Sequence, residues 1–272
     1  MEEWIKVIIL GIVQGITEFL PISSTGHLIV SARLLALDPA LLGSFEIFIQ
    51  IGSVVAVLLF YWKDLLSQAR HVRSDMSVRR FWLAILIAII PAGLIGFLFD
   101  DFIESVLYSP MVVAIALIIG GIVFIIVEQY KKTHPNEDEI MELTDIRWQQ
   151  ALTIGLIQVL ALIPGTSRSG TSILGGLLSG LDRRTATQFS FYMAIPLLGA
   201  ATVYTFLKSI NGLTSEYIAL FLLGAVVSGI VSWFAISWLL RFISRYTFIS
   251  FGVYRIIIGL IILVLIALQL VN

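Results

Sequence analysis

Two polar, proline-broken segments hold the side chains of this chain that could do chemistry. The first contains Gln14 and Glu18, then Pro21, Ser23, Ser24, Thr25, Gly26 and His27. Gln14 and Glu18 stand four residues apart and so share one face of a helix. Ser24 and His27 lie just past the proline, close enough for a hydroxyl–imidazole contact. That contact would make Ser24 a nucleophile with His27 as its base, or leave His27 to activate a water. The second segment reads Pro164, Gly165, Thr166, Ser167, Arg168, Ser169, Gly170, Thr171. Its small residues let backbone N–H groups approach the oxygens of an anion closely, and its hydroxyls add donors. Arg168 adds a planar, permanently charged fork suited to phosphate. Taken singly, these residues have plainer readings: Glu18 as a helix cap, His27 as a buried hydrogen-bonded histidine, Arg168 as a headgroup anchor. Together they describe a phosphate-binding pocket able to hydrolyse.

The elements that must position these groups are membrane helices. The chain is 58% hydrophobic and 13% charged, against roughly 25% charged in a soluble domain. Six stretches approach the roughly 20 apolar residues of a span: 45–62, 81–99, 111–128, 187–207, 217–240 and 251–271. Two others, 4–20 and 148–163, end in a proline followed by Ser, Thr and Gly, and read as half-helices that enter the membrane and turn back. Non-helical backbone at that depth is tolerated only inside protein or against a watery cavity, so the turns at 21–27 and 164–171 should face each other within the bundle.

The two segments are also copies. Gly11 and Gln14 fall on Gly155 and Gln158 at a spacing of 144, while Pro21 and Ser24 fall on Pro164 and Ser167 at 143. Phe45, Ile49 and Ile51 fall on Phe189, Met193 and Ile195, again at 144. The expected fold is an all-α integral membrane protein forming one domain over 1–272. Its halves, 1–128 and 148–272, each hold one re-entrant hairpin and three spans. Three is odd, so the halves should be inverted. A solvated loop at 129–147, carrying Glu137, Asp138, Glu139, Glu142 and Asp145, joins them. Glu46 and Gln50 share a face of the next span and are expected to support the site or a metal from behind.

Basic residues set the orientation. One side holds Lys63, Arg70, Arg73, Arg79, Arg80, Lys131, Lys132, Arg147, Arg183, Arg184, Arg241 and Arg245, and the other only Lys6, Arg33 and Lys208. Both termini are therefore expected outside, with loops 63–80, 129–147 and 241–247 in the cytoplasm. Glu2 and Glu3 precede the first apolar run, without the basic region and small-residue cleavage site of a signal peptide, so insertion by the chain's own spans is expected. The absence of cysteine removes disulfides and thiolate chemistry, and no basic stripe offers itself to nucleic acid. The substrate best suited to a site this deep is an amphiphile with its tail in lipid and its phosphate in the pocket. The rival class is a carrier or flippase for a phosphorylated lipid or anion, since broken hairpins in duplicated halves also build transporters. A pure carrier has no need of the Ser24–His27 pair.

These segments resemble those of the bacterial undecaprenyl-diphosphate phosphatases, also called bacitracin-resistance proteins, and the resemblance covers nearly the whole chain. It rests on Gln14-Gly-Ile-Thr-Glu18, on Pro21-Ile-Ser-Ser-Thr-Gly-His27 and on Pro164-Gly-Thr-Ser-Arg-Ser-Gly-Thr171. Gln14 stands where many relatives have Glu, and the family's usual Thr position is Ser172, one past Thr171. The resemblance implies hydrolysis of undecaprenyl diphosphate to the monophosphate and inorganic phosphate, recycling the carrier lipid for cell-wall synthesis. It also implies a divalent cation, Mg2+ or Ca2+, a bacterial plasma-membrane location with the site opening outside, and bacitracin resistance. By position, Arg168 would bind the diphosphate, with Ser23, Thr25, Gly165, Thr166, Ser167, Ser169, Gly170, Thr171 and Ser172 around it. Glu18, helped by Gln14, would hold the metal or orient His27. Ser24, or a water, would attack with His27 as base. The oligomeric state is not set by sequence, and a homodimer is allowed.

Overall fold

Backbone buried in hydrocarbon has to satisfy its own N–H and C=O groups, and a helix does this within one segment. The computed structural model describes residues 2–36, 39–99, 102–134, 142–209 and 215–271, and every regular element among them longer than a bridge is helical. The chain opens with α1 (Glu3–Thr17), breaks, and returns as α2 (Ser24–Leu34). α3 (Pro39–Phe60) follows, and at Tyr61 the chain bends by 64° into α4 (Trp62–His71). Next come α5 (Met76–Leu98), a π-helical turn at Ile103–Leu107 and α6 (Pro110–Thr133). A 3-10 turn at Leu143–Asp145 leads to α7 (Trp148–Gln158), which tightens into a 3-10 turn over Val159–Leu162 before the second break. α8 (Arg168–Leu178), α9 (Arg183–Ser209), α10 (Ser215–Ile243) and α11 (Ile249–Ala267) complete the chain.

Among the described residues α5, α6, α9, α10 and α11 are each long and apolar enough to cross a membrane, and α3 taken with α4 is a sixth candidate. The protein is therefore a multi-pass, all-helical membrane protein. Its outer faces agree: Leu83, Leu86, Ile90 and Leu94 of α5 are all more than half exposed, a run of apolar surface that water would not tolerate.

Two sequence expectations change. The loop at 63–80 contains the helix α4, whose polar and apolar residues segregate to opposite faces. The joining loop does not begin at 129, because α6 runs on to Thr133. Its end is tied down by Lys131 Nζ, which donates to the Leu181 carbonyl at 2.9 Å, and by buried Glu128, which accepts from Arg183 and from the Phe248 N–H. Glu137, Asp138 and Glu139 lie outside the described residues.

Small residues let the helices approach closely, the usual basis of packing where no hydrophobic driving force separates helix from lipid. α1 packs on α10, with Gly11 and Gly15 against the carbonyls of Gly224 and Ser228. α10 also packs on α3, where Ser53, Ser228 and Ser232 form a buried chain of hydroxyls at 2.9 and 3.0 Å. In the second half α7 packs on α5, with Gly155 against the Ala88 carbonyl. Each proline-broken hairpin thus leans on the opposite half of the chain, and this brings the two breaks together.

Candidate active site

The breaks are built alike. Ser23 and Ser167 both hold a left-handed backbone, φ 72° and 74°, and both cap the helix that follows by accepting a hydrogen bond from Gly26 N and Gly170 N. A residue with a Cβ adopts that conformation at a cost, and such strain concentrates at functional sites. Gly165 has φ 99°, and a side chain there would strike the Val113 backbone, so this turn requires glycine. The caps correspond at a spacing of 144 throughout. That corrects the pairing of Ser24 with Ser167: cap geometry rather than the proline sets the register, so Ser24 corresponds to Arg168. Each is the first residue of its helix.

Both of these residues reach Glu18. Arg168 Nη2 donates to Glu18 Oε1 at 3.0 Å, with the two side chains only 12% and 5% exposed. Ser24 Oγ donates to Glu18 Oε2 at 2.9 Å, and Gln14 Nε2 donates to the same oxygen at 3.0 Å. The carboxylate therefore takes bonds from the first residue of α2 and the first residue of α8, the second a buried guanidinium. Arg168 is steadied by the Ser190 carbonyl on α9, at 3.2 Å from Nη1, and by the ring of Phe19 beneath it.

His27 is not Ser24's partner. Its Nδ1 faces the Ser23 carbonyl at 2.8 Å and its Nε2 faces the Tyr254 hydroxyl at 2.8 Å. The expected hydroxyl–imidazole contact is absent because Ser24, at the start of α2, turns toward Glu18, whereas His27 lies almost one turn later and faces α11. The group that accepts from Ser24 is the Glu18 carboxylate.

The hydroxyls of the second segment are also placed differently from the expectation of donors to an anion. Thr166, Thr171 and Ser172 donate to carbonyls of their own segment, and Ser169 Oγ donates to Leu20 O, in the other break, at 2.9 Å. A hydroxyl has one proton to give. These four side chains therefore fasten the turns, and Arg168 and the unpaired backbone N–H groups that every helix start carries remain among the donors an anion could take. Thr25 is half-buried at the start of α2. Gln50 accepts from Thr202 at 3.4 Å, and among the described residues no group of three acidic or histidine side chains forms that could hold a metal. The residue one repeat after Glu46 is Ser190, and it reaches the site.

Arg255, which lies within the apolar stretch 251–271, ties the breaks together. It is fully buried, and its guanidinium donates to the carbonyls of Pro21 in the first break and of Gly165 and Thr166 in the second, at 3.0–3.1 Å. Longer bonds reach Leu117 and Ala116 on α6. Gly120 leaves room for it, since a side chain there would overlap the guanidinium. The available signal was a charge inside an apolar span.

For a divalent cation the protein offers Glu18 and the Gln14 amide oxygen, which is buried without a partner. Two oxygens suit a Mg2+-like ion that takes its other ligands from substrate phosphates and water.

Most of the chain matches a known family. The family of the bacitracin resistance protein BacA aligns with residues 7–261. The chain belongs to this family. Among curated relatives, the undecaprenyl-diphosphatase of Deinococcus radiodurans is 48% identical over 268 residues, covering 97% of this chain and 96% of that protein. The undecaprenyl-diphosphatase of Campylobacter hominis is 46% identical over 258 residues, covering 94% and 96%. That of a Polaromonas species is 43% identical over 259 residues, covering 95% and 94%. Each of these alignments spans nearly the full length of both chains.

Proposed function

We propose that the protein hydrolyses undecaprenyl diphosphate to undecaprenyl phosphate and inorganic phosphate at the cluster of Glu18, Ser24 and Arg168. The observation that carries the chemistry is the pair of bonds on Glu18, one from a guanidinium and one from a serine hydroxyl. Family membership supports the substrate. The lipid tail stays in the bilayer, and the diphosphate takes up Arg168 together with the N–H groups at the starts of α2 and α8.

Ser24 Oγ attacks the terminal phosphorus and its proton passes to Glu18 Oε2. The bond from that phosphorus to the bridging oxygen breaks, and the lipid leaves as its monophosphate. Arg168 stabilises the charge spread over the transferring group. Water then attacks the phosphoserine, giving a proton to His27 Nε2, while Glu18 returns its proton to Ser24 as inorganic phosphate departs. A divalent cation, when bound by Glu18 and Gln14, would offset diphosphate charge.

The same reading places the two halves as an inverted repeat, supported by the exchange of packing partners between hairpins and the matched strained caps. It puts the protein in the bacterial plasma membrane with the basic end cytoplasmic and the termini and site opening outside, as the charge asymmetry favours. Membership of the bacitracin resistance protein family supports a part in bacitracin resistance.

Ser24 tests the mechanism directly. Ser24→Ala is expected to lose phosphate release in detergent, and phosphate from a terminally labelled substrate should be trapped on Ser24 in the His27→Ala variant. Full activity in Ser24→Ala would assign the attack to water.

A further inference from the structure

Building on the hydrolytic reading above, we infer that Tyr254 is the positioning residue for His27. α11 supplies two adjacent residues to the site. Arg255 is locked by its five carbonyl bonds, and this fixes the turn of α11 that carries Tyr254. The Tyr254 ring lies parallel to the imidazole, 5.7 Å between centroids and 3° between planes, and its hydroxyl meets Nε2 at 2.8 Å.

The other face of His27 decides the direction of that bond. The Ser23 carbonyl can only accept, so Nδ1 carries the proton of the neutral ring and Nε2 presents its lone pair. Tyr254 O–H donates to that lone pair. The ring is thus held from both nitrogens: by the strained cap of α2 on one side and by α11 from the far end of the chain on the other. A tyrosine 38% exposed has water or lipid headgroups as alternative partners, yet its hydroxyl is spent on the imidazole. The arrangement keeps Nε2 in a single orientation as an acceptor, ready to take a proton from the water that resolves the phosphoserine, while the tyrosine hydroxyl swings aside.

The experiment uses the full-length protein in detergent with histidine labelled by 15N. His27 is assigned against His71 and His134 by its loss in His27→Ala. Wild type should show His27 with its proton on Nδ1, and Tyr254→Phe, which keeps the ring and removes only the hydroxyl, should move the Nε2 resonance. On phosphate release, Tyr254→Phe should lower kcat by about 3- to 10-fold, the scale of one neutral hydrogen bond, with KM little changed. In the His27→Ala background the same substitution should add nothing. A proton on Nε2 in wild type, an unmoved resonance in Tyr254→Phe, or an effect that multiplies on top of His27→Ala would each overturn the assignment. Complete inactivity of wild type would instead strike the hydrolytic reading, leaving the resonance test standing.

Discussion

Replacing Arg168 by alanine is expected to lower phosphate release by at least about a thousandfold, the scale on which a single arginine stabilises a transferring phosphoryl group. Arg168 starts the helix after the second break, and its guanidinium reaches the buried carboxylate of the first segment, 3.0 Å from Glu18 and 12% exposed. Arg168→Lys keeps the charge but not the planar fork, and should remain more than about tenfold below wild type. Removing the arginine also leaves Glu18 buried and unpaired, which costs about 3–5 kcal/mol. The two effects separate in Arg168→Ala combined with Glu18→Gln. Melting in detergent should recover most of the loss, because the uncompensated charge is gone, whereas phosphate release should not recover, because both the clamp and the base for Ser24 are missing. Activity that returned with stability would reduce Arg168 to a structural partner of Glu18.

Arg255→Met is expected to give the largest loss of stability in the chain. Pro21, Gly165 and Thr166 lie in the breaks, outside any helix, and their carbonyls take the guanidinium at 3.0–3.1 Å. Each buried acceptor left alone costs about 1–3 kcal/mol, so the three together cost about 3 kcal/mol or more, lowering the melting temperature by about 5 °C or more. Methionine fills much of the volume, which isolates the loss of hydrogen bonds from the loss of packing. Arg255→Lys should fall between, since one ammonium cannot span both breaks. Gly120→Ala should mimic Arg255→Met by pushing the guanidinium from its place. The check is a circular-dichroism melt in detergent, and an Arg255→Met protein that melts with wild type would show that the breaks hold without this tie.

Much of this was legible in the sequence for a physical reason: polar groups are costly in apolar spans, so those that persist stand out. Glu18, Arg168 and the paired breaks were visible on that ground, as were the apolar stretches that became α3, α5, α6, α9, α10 and α11. What the sequence hid was direction. Ser24 and His27 are three apart, a spacing compatible with contact, but the left-handed cap at Ser23 turns Ser24 to Glu18 and leaves His27 to Tyr254, 227 residues away. Hydroxyls at 166, 169, 171 and 172 look like anion donors by composition, and only their bonding partners reveal that they fasten the turns. Ser190 was concealed because a serine in a span carries no signal by itself, although its spacing of 144 from Glu46 marked the position. Arg255 did carry a signal. A permanent charge inside an apolar helix required a partner, and the partner proved to be the backbone of both breaks.

The measurement closest to the centre of this account is phosphate release from undecaprenyl diphosphate by the purified protein in detergent, with a divalent cation and again with a chelator. Release that needs the cation, in a single compartment without any gradient, is the predicted result. No release with any divalent cation would contradict hydrolysis at the Glu18–Ser24–Arg168 cluster and shift the weight to transport of a phosphorylated lipid.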